Sequence, residues 1–464
     1  MRPLALAAAA AALACAPLAA EARPPNILLV LTDDQTPALA ARMPNLERLV
    51  AEQGATFTRA YYDEPLCAPS RATMLTGRYH QNTGVEVNSY RPFPPHEGET
   101  VAVALHGAGY RTGLFGKYLN GYPGRLGPGH VPPGWDRWFV MTNPGDGAAK
   151  GYFGYGVDDQ GTVRRYGASP ADYSTDVLGA EALGFVRQAL ADGVPFFAEL
   201  ALHAPHVPSA PAPRDADALA GAAAPRGPAF DEADVSDKPA HVRGRRPLDA
   251  LARAGIDRRY RDMARSLLAV DRAVAALVKA LADAGALRST YVVFASDNGW
   301  MTGDHRLAAG KGVPYEQASR VPLYVRGPGV APGSRIGRLV GNADLGPTLA
   351  AWGGTSLPGA DGRSLVPLLA NPSAPWRRAY PAFYRRGADG PNLPGWRGVR
   401  TDRYTYVEYD TGERELYDDA ADPYQLTNIA QTANLALLGR LAQRTAALAA
   451  CKGDGCHTLE DTPP

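Results

Sequence analysis

Two short apolar segments of this chain end in the same way. The segment ILLVLT runs into Asp33 and Asp34, and the segment YVVFAS runs into Asp297 and Asn298. Continuous apolar runs of this length, bounded by turn-forming residues, are typical of central strands buried on both faces of a parallel sheet. In open α/β sheets, ligands bind at the carboxyl ends of such strands. The two segments therefore predict an α/β fold with both polar pairs at its functional edge.

Helical patterns alternate with strand-like segments between these two runs. Apolar residues recur at helical spacing over residues 263–281 and 176–190, and the latter segment precedes a strand-like stretch at 195–200. This alternation predicts a large, doubly wound mixed sheet flanked by helices. A hairpin is expected around residues 158–161, and the Pro- and Arg-rich residues 207–248 are expected to form a long surface loop.

The C-terminal part has a different pattern. Short, aromatic, alternating segments separated by turns predict a small antiparallel sheet, and a final apolar periodicity predicts one covering helix. The strands are expected at residues 379–384, 398–409 and 413–417, and the helix at 433–450. A chain of 464 residues is long enough for a large α/β domain over residues 23–370 and a smaller subdomain over residues 371–464.

Residues 1–22 have the pattern of a secretory signal peptide. Arg2 precedes an apolar Ala/Leu run, and Ala20-Glu21-Ala22 has the small-x-small pattern of a cleavage site. No later stretch reaches the ~20 apolar residues that a membrane helix needs. We therefore expect a secreted or periplasmic protein without a stable membrane partner. The 48 Lys and Arg against 47 Asp and Glu residues give a net charge of +1, which argues against a nucleic-acid partner.

The four cysteines fall into three groups. Cys15 lies in the predicted signal peptide, whereas Cys451 and Cys456 flank the turn-forming sequence Lys-Gly-Asp-Gly. In an oxidising compartment this pair could close a small disulfide, the alternative being two free surface thiols. Cys67 is then left without a partner, and an odd cysteine in an exported protein needs its own explanation.

The two polar pairs at the strand ends offer a set of hard ligands. Carboxylate and amide oxygens from Asp33, Asp34, Asp297 and Asn298 suit Ca²⁺ or Mg²⁺ better than Zn²⁺, because no His or Cys is adjacent in the sequence. The alternative is that Asp and Asn after a strand are only turn formers. Two pairs at matching topological positions favour a metal site.

The sequence Cys-Ala-Pro-Ser-Arg at residues 67–71 is the most informative stretch. Pro69 suits the first turn of a helix, so Cys67 is expected at a helix N-terminus, where free N–H groups favour anions. Arg71 adds a bidentate partner for an oxyanion. Two interpretations from the residues alone are a buried thiol beside a structural arginine and a thiolate nucleophile of lowered pKa.

A third interpretation comes from a family resemblance. Residues 67–71, followed by Leu-Thr-Gly-Arg at 75–78, resemble the signature of the formylglycine-dependent sulfatases of the alkaline-phosphatase-like superfamily. In that family the cysteine is oxidised to Cα-formylglycine, whose hydrate is the nucleophile, which would explain the odd Cys67. The resemblance extends over nearly the whole mature chain, through Asp-Asn-Gly at 297–299, Gly-Asp-His at 303–305 and Gly-Lys at 310–311.

The resemblance implies a role for each site residue. In the family, one Ca²⁺ ion is held by the modified cysteine and by the polar pairs at the strand ends. Two basic residues hold the nucleophile, a histidine and a lysine bind the sulfate and assist the leaving group, and a metal-binding aspartate receives a proton from the nucleophile. On this sequence the metal ligands would be Asp33, Asp34, Cys67, Asp297 and Asn298. Arg71 and Lys117 would hold the nucleophile, and His206 and Lys311 would bind the sulfate. Asp297 would also accept the proton of the nucleophile.

One position departs from the family pattern. Many sulfatases place a histidine two residues after the lysine equivalent to Lys117, and this chain has Leu119 there, so Asn120 or a neighbouring group is expected to take that role. The sequence Gly-Lys-Tyr-Leu-Asn instead resembles the N-acetylglucosamine-6-sulfatase and extracellular Sulf subgroup. In Ala-Pro-His the resemblance selects His206, whereas a structural role fits His203 better.

The subgroup resemblance implies a substrate class. A sulfated sugar such as 6-O-sulfated N-acetylglucosamine is expected as substrate, with a formylglycine-generating enzyme as the maturation partner. The alternatives are an arylsulfatase, a phosphonate or phosphodiester hydrolase, and a non-catalytic, Ca²⁺-dependent protein that binds sulfated glycans.

Overall fold

The computed structural model describes residues 23–143, 149–388 and 393–463. The predicted signal peptide, residues 1–22, therefore lies outside the described residues. Among the helices that are described, none is both long enough and apolar enough to cross a membrane.

Most strands belong to one large mixed sheet. The strands are β1 (Asn26–Thr32), β2 (Ala55–Phe57), β3 (Ala60–Tyr61), β4 (Arg111–Gly116), β5 (Arg137–Asn143), β6 (Gly156–Asp159), β7 (Thr162–Arg165), β8 (Phe196–Ala201), β9 (Thr290–Ser296), β10 (Leu323–Arg326), β11 (Ser334–Ile336), β12 (Val340–Gly341), β13 (Ala379–Tyr384), β14 (Trp396–Thr401), β15 (Tyr404–Tyr409) and β16 (Arg414–Asp418). Ten of them form a sheet in the order β11-β2-β10-β9-β1-β8-β4-β5-β6-β7, and β12 pairs with β3.

The centre of the large sheet is parallel and buried on both faces. β1 lies between β9 and β8, with Leu28 opposite Val292 on one side and Ala198 on the other. Leu29 and the other odd-numbered apolar residues of β1 pack into one core cluster, and Leu28 and Val30 pack into the cluster on the opposite face. The prediction of a central strand buried on both faces is confirmed for β1.

Helices cover both faces of this sheet. They are α1 (Pro37–Ala40), α2 (Pro44–Leu46), α3 (Cys67–Thr76), α4 (His80–Thr83), α5 (Val101–Gly107), α6 (Ser174–Asp192), α7 (Ala240–Arg243), α8 (Ala250–Asp283), α9 (Glu316–Ser319), α10 (Leu345–Trp352), α11 (Val366–Ala370), α12 (Leu435–Leu448) and α13 (Asp454–Asp461), with a π-helical turn at Glu47–Ala51. Residues of α3, α5 and α10 line one face of the sheet, and those of α6 and α8 line the other. The α/β prediction, a mixed sheet flanked by helices, is confirmed.

The helix predicted over residues 263–281 is longer than expected. α8 begins thirteen residues earlier, at Ala250, because the side chain of Asp249 caps it by accepting a hydrogen bond from the backbone N–H of Ala252 at 2.8 Å. Its first turns carry little apolar periodicity, and Leu251 is 83% exposed. Ile256 and Tyr260 are nevertheless buried in the core, so the helix begins to pack before the apolar periodicity becomes regular.

The C-terminal sheet is confirmed, with one correction. β13, β14, β15 and β16 form a four-stranded antiparallel sheet, but residues 398–409 are not one strand. A two-residue loop, Asp402-Arg403, reverses the chain between β14 and β15, and the hydroxyl of Thr401 accepts hydrogen bonds from the backbone N–H groups of Arg403 and Tyr404. Both strands are rich in aromatic and β-branched residues, so the alternation continues across this tight turn.

The end of the chain carries a second helix that was not predicted. α12 covers the sheet as expected, and a disulfide between Cys451 and Cys456 then leads into α13. The backbone N–H of Gly453, inside the disulfide loop, donates to the carboxylate of Asp361. The disulfide prediction is confirmed, and Cys67 is a free, buried cysteine.

Candidate active site

The carboxyl ends of β1 and β9 bring the two polar pairs together. Thr32 and Ser296 are paired at the ends of these strands, and the residues that follow them are fully buried. The backbone N–H of Asp34, which has φ +70°, donates to Asp297 Oδ1 at 3.2 Å, and the side-chain amide of Asn298 donates to the carboxylate of Asp34. The structure thus brings Asp33, Asp34, Asp297 and Asn298 to one edge of the sheet.

Helix α3 delivers Cys67 to this edge from its first residue. Leu66 is extended, Pro69 occupies the first turn where an N–H is not needed, and the helix ends at Gly77 in the left-handed conformation, φ +67°. The thiol of Cys67 lies 3.2 Å from Asp33 Oδ1 and donates to it. The expected placement of Cys67 at a helix N-terminus beside the polar pairs is confirmed.

Arg71 lies one helical turn after Cys67 and ties the site together. Its Nε donates to Asp297 Oδ2 at 2.8 Å, and its Nη1 donates to the carbonyl of Lys117 at 2.8 Å. Lys117 directly follows β4, and its ammonium group contacts the carboxylate of Asp33. Asp33, Asp34, Asp297 and Asn298 are called the acidic edge below. The guanidinium group of Arg71 and the ammonium group of Lys117 therefore bring positive charge to the side of the acidic edge on which Cys67 lies.

Lys311 and His206 approach from the other side. Lys311 Nζ is 2.5 Å from Asp34 Oδ1 and 2.8 Å from Cys67 Sγ. His206 Nε2 is 3.7 Å from Asp34 Oδ2, and its Nδ1 lies 2.6 Å from the carbonyl of Val207, so Nδ1 is the donor and Nε2 faces the site. The side chain of His206 is 27% exposed, whereas that of Lys311 is buried. His206 is thus placed nearer to solvent than Lys311.

Several donor atoms of this cluster could hold a metal ion. One donor atom from each of four residues, Asp33, Asp34, Cys67 and His206, lies within 4.8 Å of the others. Asp34 Oδ2 is buried and accepts no hydrogen bond from the described residues. A buried carboxylate oxygen without a donor needs a positive partner, and carboxylate oxygens from adjacent strand ends are suitable ligands for Ca²⁺ or Mg²⁺.

The charges at the site shift the pKa values of Asp33 and Asp297 in opposite directions. Burial disfavours ionisation of Asp33, but the nearby cations, above all Lys117, hold the pKa of this carboxyl well below its usual range. Burial, followed by the charge of Asp33, raises the pKa of Asp297. Burial and the charge of Asp33 also raise the pKa of the Cys67 thiol, although Lys117 and Lys311 oppose them. Burial and the charge of Asp33 therefore disfavour the thiolate form of an unmodified Cys67.

Three further residues lie near the predicted site residues Lys117 and His206. Leu119 packs into the core, whereas the side-chain oxygen of Asn120 is buried and has no hydrogen-bond partner among the described residues. His203, expected to be structural, has its ring centroid 4.8 Å from that of His206. A Cβ atom at Gly151 would lie 2.1 Å from the His203 ring, so this approach requires glycine. The two histidines, three residues apart after β8, thus lie side by side.

Glu199 is the acidic residue that sequence reasoning missed entirely. It lies within β8, between Leu29 of β1 and Leu114 of β4, and is 4% exposed. Burial raises its pKa to about 7, and the charge of Arg71 opposes that rise. Nothing in the stretch Phe-Phe-Ala-Glu-Leu distinguishes this glutamate from a surface residue on a strand, because its charged neighbour is distant in the chain.

Comparison with known proteins gives this site a family context. A family model named Sulfatase matches residues 25–355, and one named N-sulphoglucosamine sulphohydrolase, C-terminal, matches residues 303–449. The chain is 34% identical to human N-acetylglucosamine-6-sulfatase over 95% of its own length and 87% of that protein. It is also 34% identical to the extracellular sulfatase SULF-1 homolog of Drosophila melanogaster, over 78% of the chain and 33% of that protein.

Solved structures agree with the sequence comparisons. BT4656, solved in complex with its substrate D-glucosamine-2-N,6-O-disulfate, has a TM-score of 0.77 and 25% identity, over 91% of this chain and 97% of that one. A phosphonate monoester hydrolase from Silicibacter pomeroyi has a TM-score of 0.68 and 25% identity, over 90% of this chain and 93% of that one. The family model, the sequence relatives and the solved structures all match most of the chain. The chain therefore belongs to the sulfatase family of enzymes.

Proposed function

We propose that this protein hydrolyses sulfate esters of sulfated sugars through a formylglycine derived from Cys67, with one Ca²⁺ ion at the acidic edge. The observation that carries the proposal is the position of Cys67 Sγ, 3.2 Å from Asp33 Oδ1 and 2.8 Å from Lys311 Nζ. This side chain is at the point where the carboxylates and the cations of the site meet. A nucleophile placed there would have positive charge beside it for a sulfate group.

The proposed reaction has three steps. One hydroxyl of the hydrated aldehyde at position 67 loses its proton toward Asp297 and attacks sulfur, while the bond from sulfur to the sugar oxygen breaks. The second hydroxyl then loses its proton, the bond from carbon to the sulfate oxygen breaks, and sulfate leaves as the aldehyde re-forms. Addition of water to the aldehyde restores the hydrate, so no sulfated enzyme has to be hydrolysed directly.

The remaining side chains stabilise charge and supply a proton. Arg71 and Lys117 face the nucleophile, and Lys311 is placed to neutralise the sulfate oxygens. His206 Nε2 points into the site from its solvent side, and Nδ1 already carries a proton that it donates to Val207. The imidazolium form of His206, protonated on both nitrogens, would therefore give its Nε2 proton to the departing sugar oxygen. With Leu119 in the core, Asn120 and His203 are the neighbouring groups that could assist the release of sulfate.

A bound Ca²⁺ ion would polarise the sulfate and offset its charge. Asp33, Asp34, Asp297 and Asn298 would hold it together with the modified residue 67, since their oxygens are the hard donors available at the strand ends. We expect Ca²⁺ to raise the melting temperature of the folded protein and EGTA to reverse this rise. An Asp34→Asn variant that melts at the same temperature with and without Ca²⁺ would support the assignment. A variant that Ca²⁺ stabilises as much as the wild type would contradict it.

The substrate proposal rests on the relatives. N-acetylglucosamine-6-sulfatase and BT4656, whose substrate is a 6-O-sulfated glucosamine, are similar to this chain over nearly its full length. We therefore propose 6-O-sulfated N-acetylglucosamine as the substrate unit. A phosphonate or phosphodiester hydrolase is the second candidate, because the phosphonate monoester hydrolase structure matches at 25% identity.

Maturation and export complete the proposal. A formylglycine-generating enzyme would oxidise the thiol of Cys67, and the predicted signal peptide would direct the chain to a secreted or periplasmic location. The disulfide between Cys451 and Cys456 supports this location, since disulfides persist in oxidising compartments.

The first experiment is the mass of the tryptic peptide Ala60–Arg71 from protein made in its native host. A mass matching an aldehyde in place of the thiol would support the proposed nucleophile, and an unmodified cysteine in active protein would contradict it. A Cys67→Ala variant serves as the matched control for both the mass and the activity.

Turnover of 6-O-sulfated N-acetylglucosamine, an aryl sulfate and a phosphodiester by the same preparation would then rank the substrates. Tight binding of the sulfated sugar without release of sulfate would favour a binding protein instead.

A further inference from the structure

A carboxyl group lies in the sheet core beneath the site. Glu199 belongs to β8, near the middle of the large sheet, and its side chain points to the face that packs against α3. Burying a carboxyl group without a partner is costly, so such groups normally have hydrogen-bonding partners. Among the described residues, Glu199 Oε2 is buried and has none.

A second side chain that lines this space, Arg71, also has a buried polar atom without a hydrogen bond. Arg71 Nη2 is also buried and makes no hydrogen bond to the described residues, since the other donors of this guanidinium go to Asp297 and to the carbonyl of Lys117. Its distance to Asp33 Oδ2 is 3.7 Å, too long for a hydrogen bond. Glu199 and Arg71 line one small cavity whose other walls are apolar side chains such as Leu29 and Leu75.

The size of the cavity fits a single small polar molecule. Its volume is about 10 Å³, at the lower limit of the space that admits one water molecule. Buried waters in proteins are held by polar groups that would otherwise lack partners, typically with about three hydrogen bonds each. Glu199 Oε2 offers an acceptor and Arg71 Nη2 a donor, which is the pair that a bridging water requires.

We propose that this cavity binds one internal water, which accepts a hydrogen bond from Arg71 Nη2 and donates one to Glu199, and that Glu199 is a positioning residue for Arg71. The guanidinium is then held at three places: by Asp297, by the backbone of Lys117 and by the water on Glu199. The water site does not depend on the proposed function, but the effect on turnover does, because it assumes that Arg71 acts on the nucleophile.

Crystal structures of the wild type and two variants test the water site. We expect one ordered water within ~3.2 Å of both Glu199 Oε2 and Arg71 Nη2 in the wild type and in Glu199→Gln, whose amide oxygen still accepts, and none in Glu199→Leu. A wild-type cavity without water, or a direct ion pair between Glu199 and Arg71, would overturn the proposal.

Turnover of a sulfate ester tests the positioning role. We expect Glu199→Leu to lower kcat about tenfold with KM changed less than twofold, because a displaced guanidinium affects the reacting geometry more than substrate binding. Glu199→Gln should recover most of this loss. Val101→Ala enlarges the same cavity without touching either polar group, so its kcat should equal that of the wild type.

Two outcomes separate this inference from the function on which it rests. Equal kcat values for Glu199→Leu and Val101→Ala, in an enzyme that hydrolyses sulfate esters, would refute the positioning role and leave the proposed function intact. A wild type that hydrolyses no sulfate ester after maturation would contradict the proposed function, and the crystal structures alone would still decide whether the water site exists.

Discussion

Arg377 is a fully buried cation that joins Asp344, directly before α10, to Glu460 in the last helix, α13. Its Nη1 and Nη2 donate to Asp344 Oδ2 and Oδ1 at 2.7 and 2.5 Å, and its Nε lies 3.0 Å from Glu460 Oε2. All three side chains have no exposed surface. We predict that Arg377→Met lowers the free energy of unfolding by about 3–5 kcal/mol, because it leaves two buried carboxyl groups without this partner.

The size of this loss should depend on pH. Burial raises the pKa of Glu460 to about 7, and Arg377 and the hydroxyl of Tyr79 oppose that rise. At pH 8 Glu460 is ionised in the wild type and needs the arginine. Near pH 5.5 it carries a proton, so only the charge of Asp344 is left unpaired. The loss near pH 5.5 should therefore be smaller by about 1 kcal/mol, the free energy of a pKa change of roughly one unit.

Urea unfolding followed by tryptophan fluorescence and far-UV circular dichroism measures both effects. Arg378→Met is the matched control, because Arg378 is 49% exposed and its Nε lies 3.5 Å from an equally exposed carboxylate, Asp402. An exposed pair of this kind contributes at most about 1 kcal/mol. A loss for Arg377→Met no larger than that of the control would refute the reasoning. Separate unfolding of residues 371–464, with the rest of the chain unaffected, would instead favour an independent C-terminal domain.

Three further predictions concern the site and the disulfide. Lys311→Ala, which removes the cation at Cys67, should lower kcat for a sulfate ester by about 10²–10³ while the protein still folds, as checked by thermal melting. The pKa of Glu199 rises from its ordinary value of 4.5 to about 7 on folding, so the contribution of this group to stability should fall by about 3 kcal/mol between pH 4.5 and 7. Glu199→Gln should lack this fall in urea titrations, and an unchanged slope would contradict the assignment. Replacing Cys451 and Cys456 by serine should cost about 2 kcal/mol for so short a loop and leave kcat unchanged, so a loss of turnover would place this loop closer to the chemistry than we infer.

The strand ends could be predicted because topology forces them together. Asp34 and Asp297 follow strands whose apolar runs have no polar interruption, and parallel pairing of β1 with β9 then leaves these residues no other place. Cys67 could be placed at a helix N-terminus because Pro69 marks the first turn. These parts of the site follow from local sequence and one topological rule.

The rest of the site depends on contacts that local patterns do not record. Lys117 and His206 each stand alone in the sequence, and only the family resemblance selects them. Glu199 looks like an ordinary residue of a strand, and its relation to Arg71 exists only because α3 packs over β8. The hairpin turn at Asp402 was missed because the pattern of two adjacent antiparallel strands is continuous when the turn has only two residues.

The burial of α3 has a consequence for the order of events during biosynthesis. All ten residues of this helix are buried, so the proposed maturation enzyme would reach Cys67 only before the surrounding chain has folded. The hydroxyl of Tyr79, three residues after α3, donates a hydrogen bond to Glu460 of α13, so a residue near the end of the chain packs next to this part of the structure. Ribosomes make the N-terminal part of a chain first. Residue 67 is therefore translated long before the residues that seal its neighbourhood, and that interval is a time window in which the cysteine remains accessible.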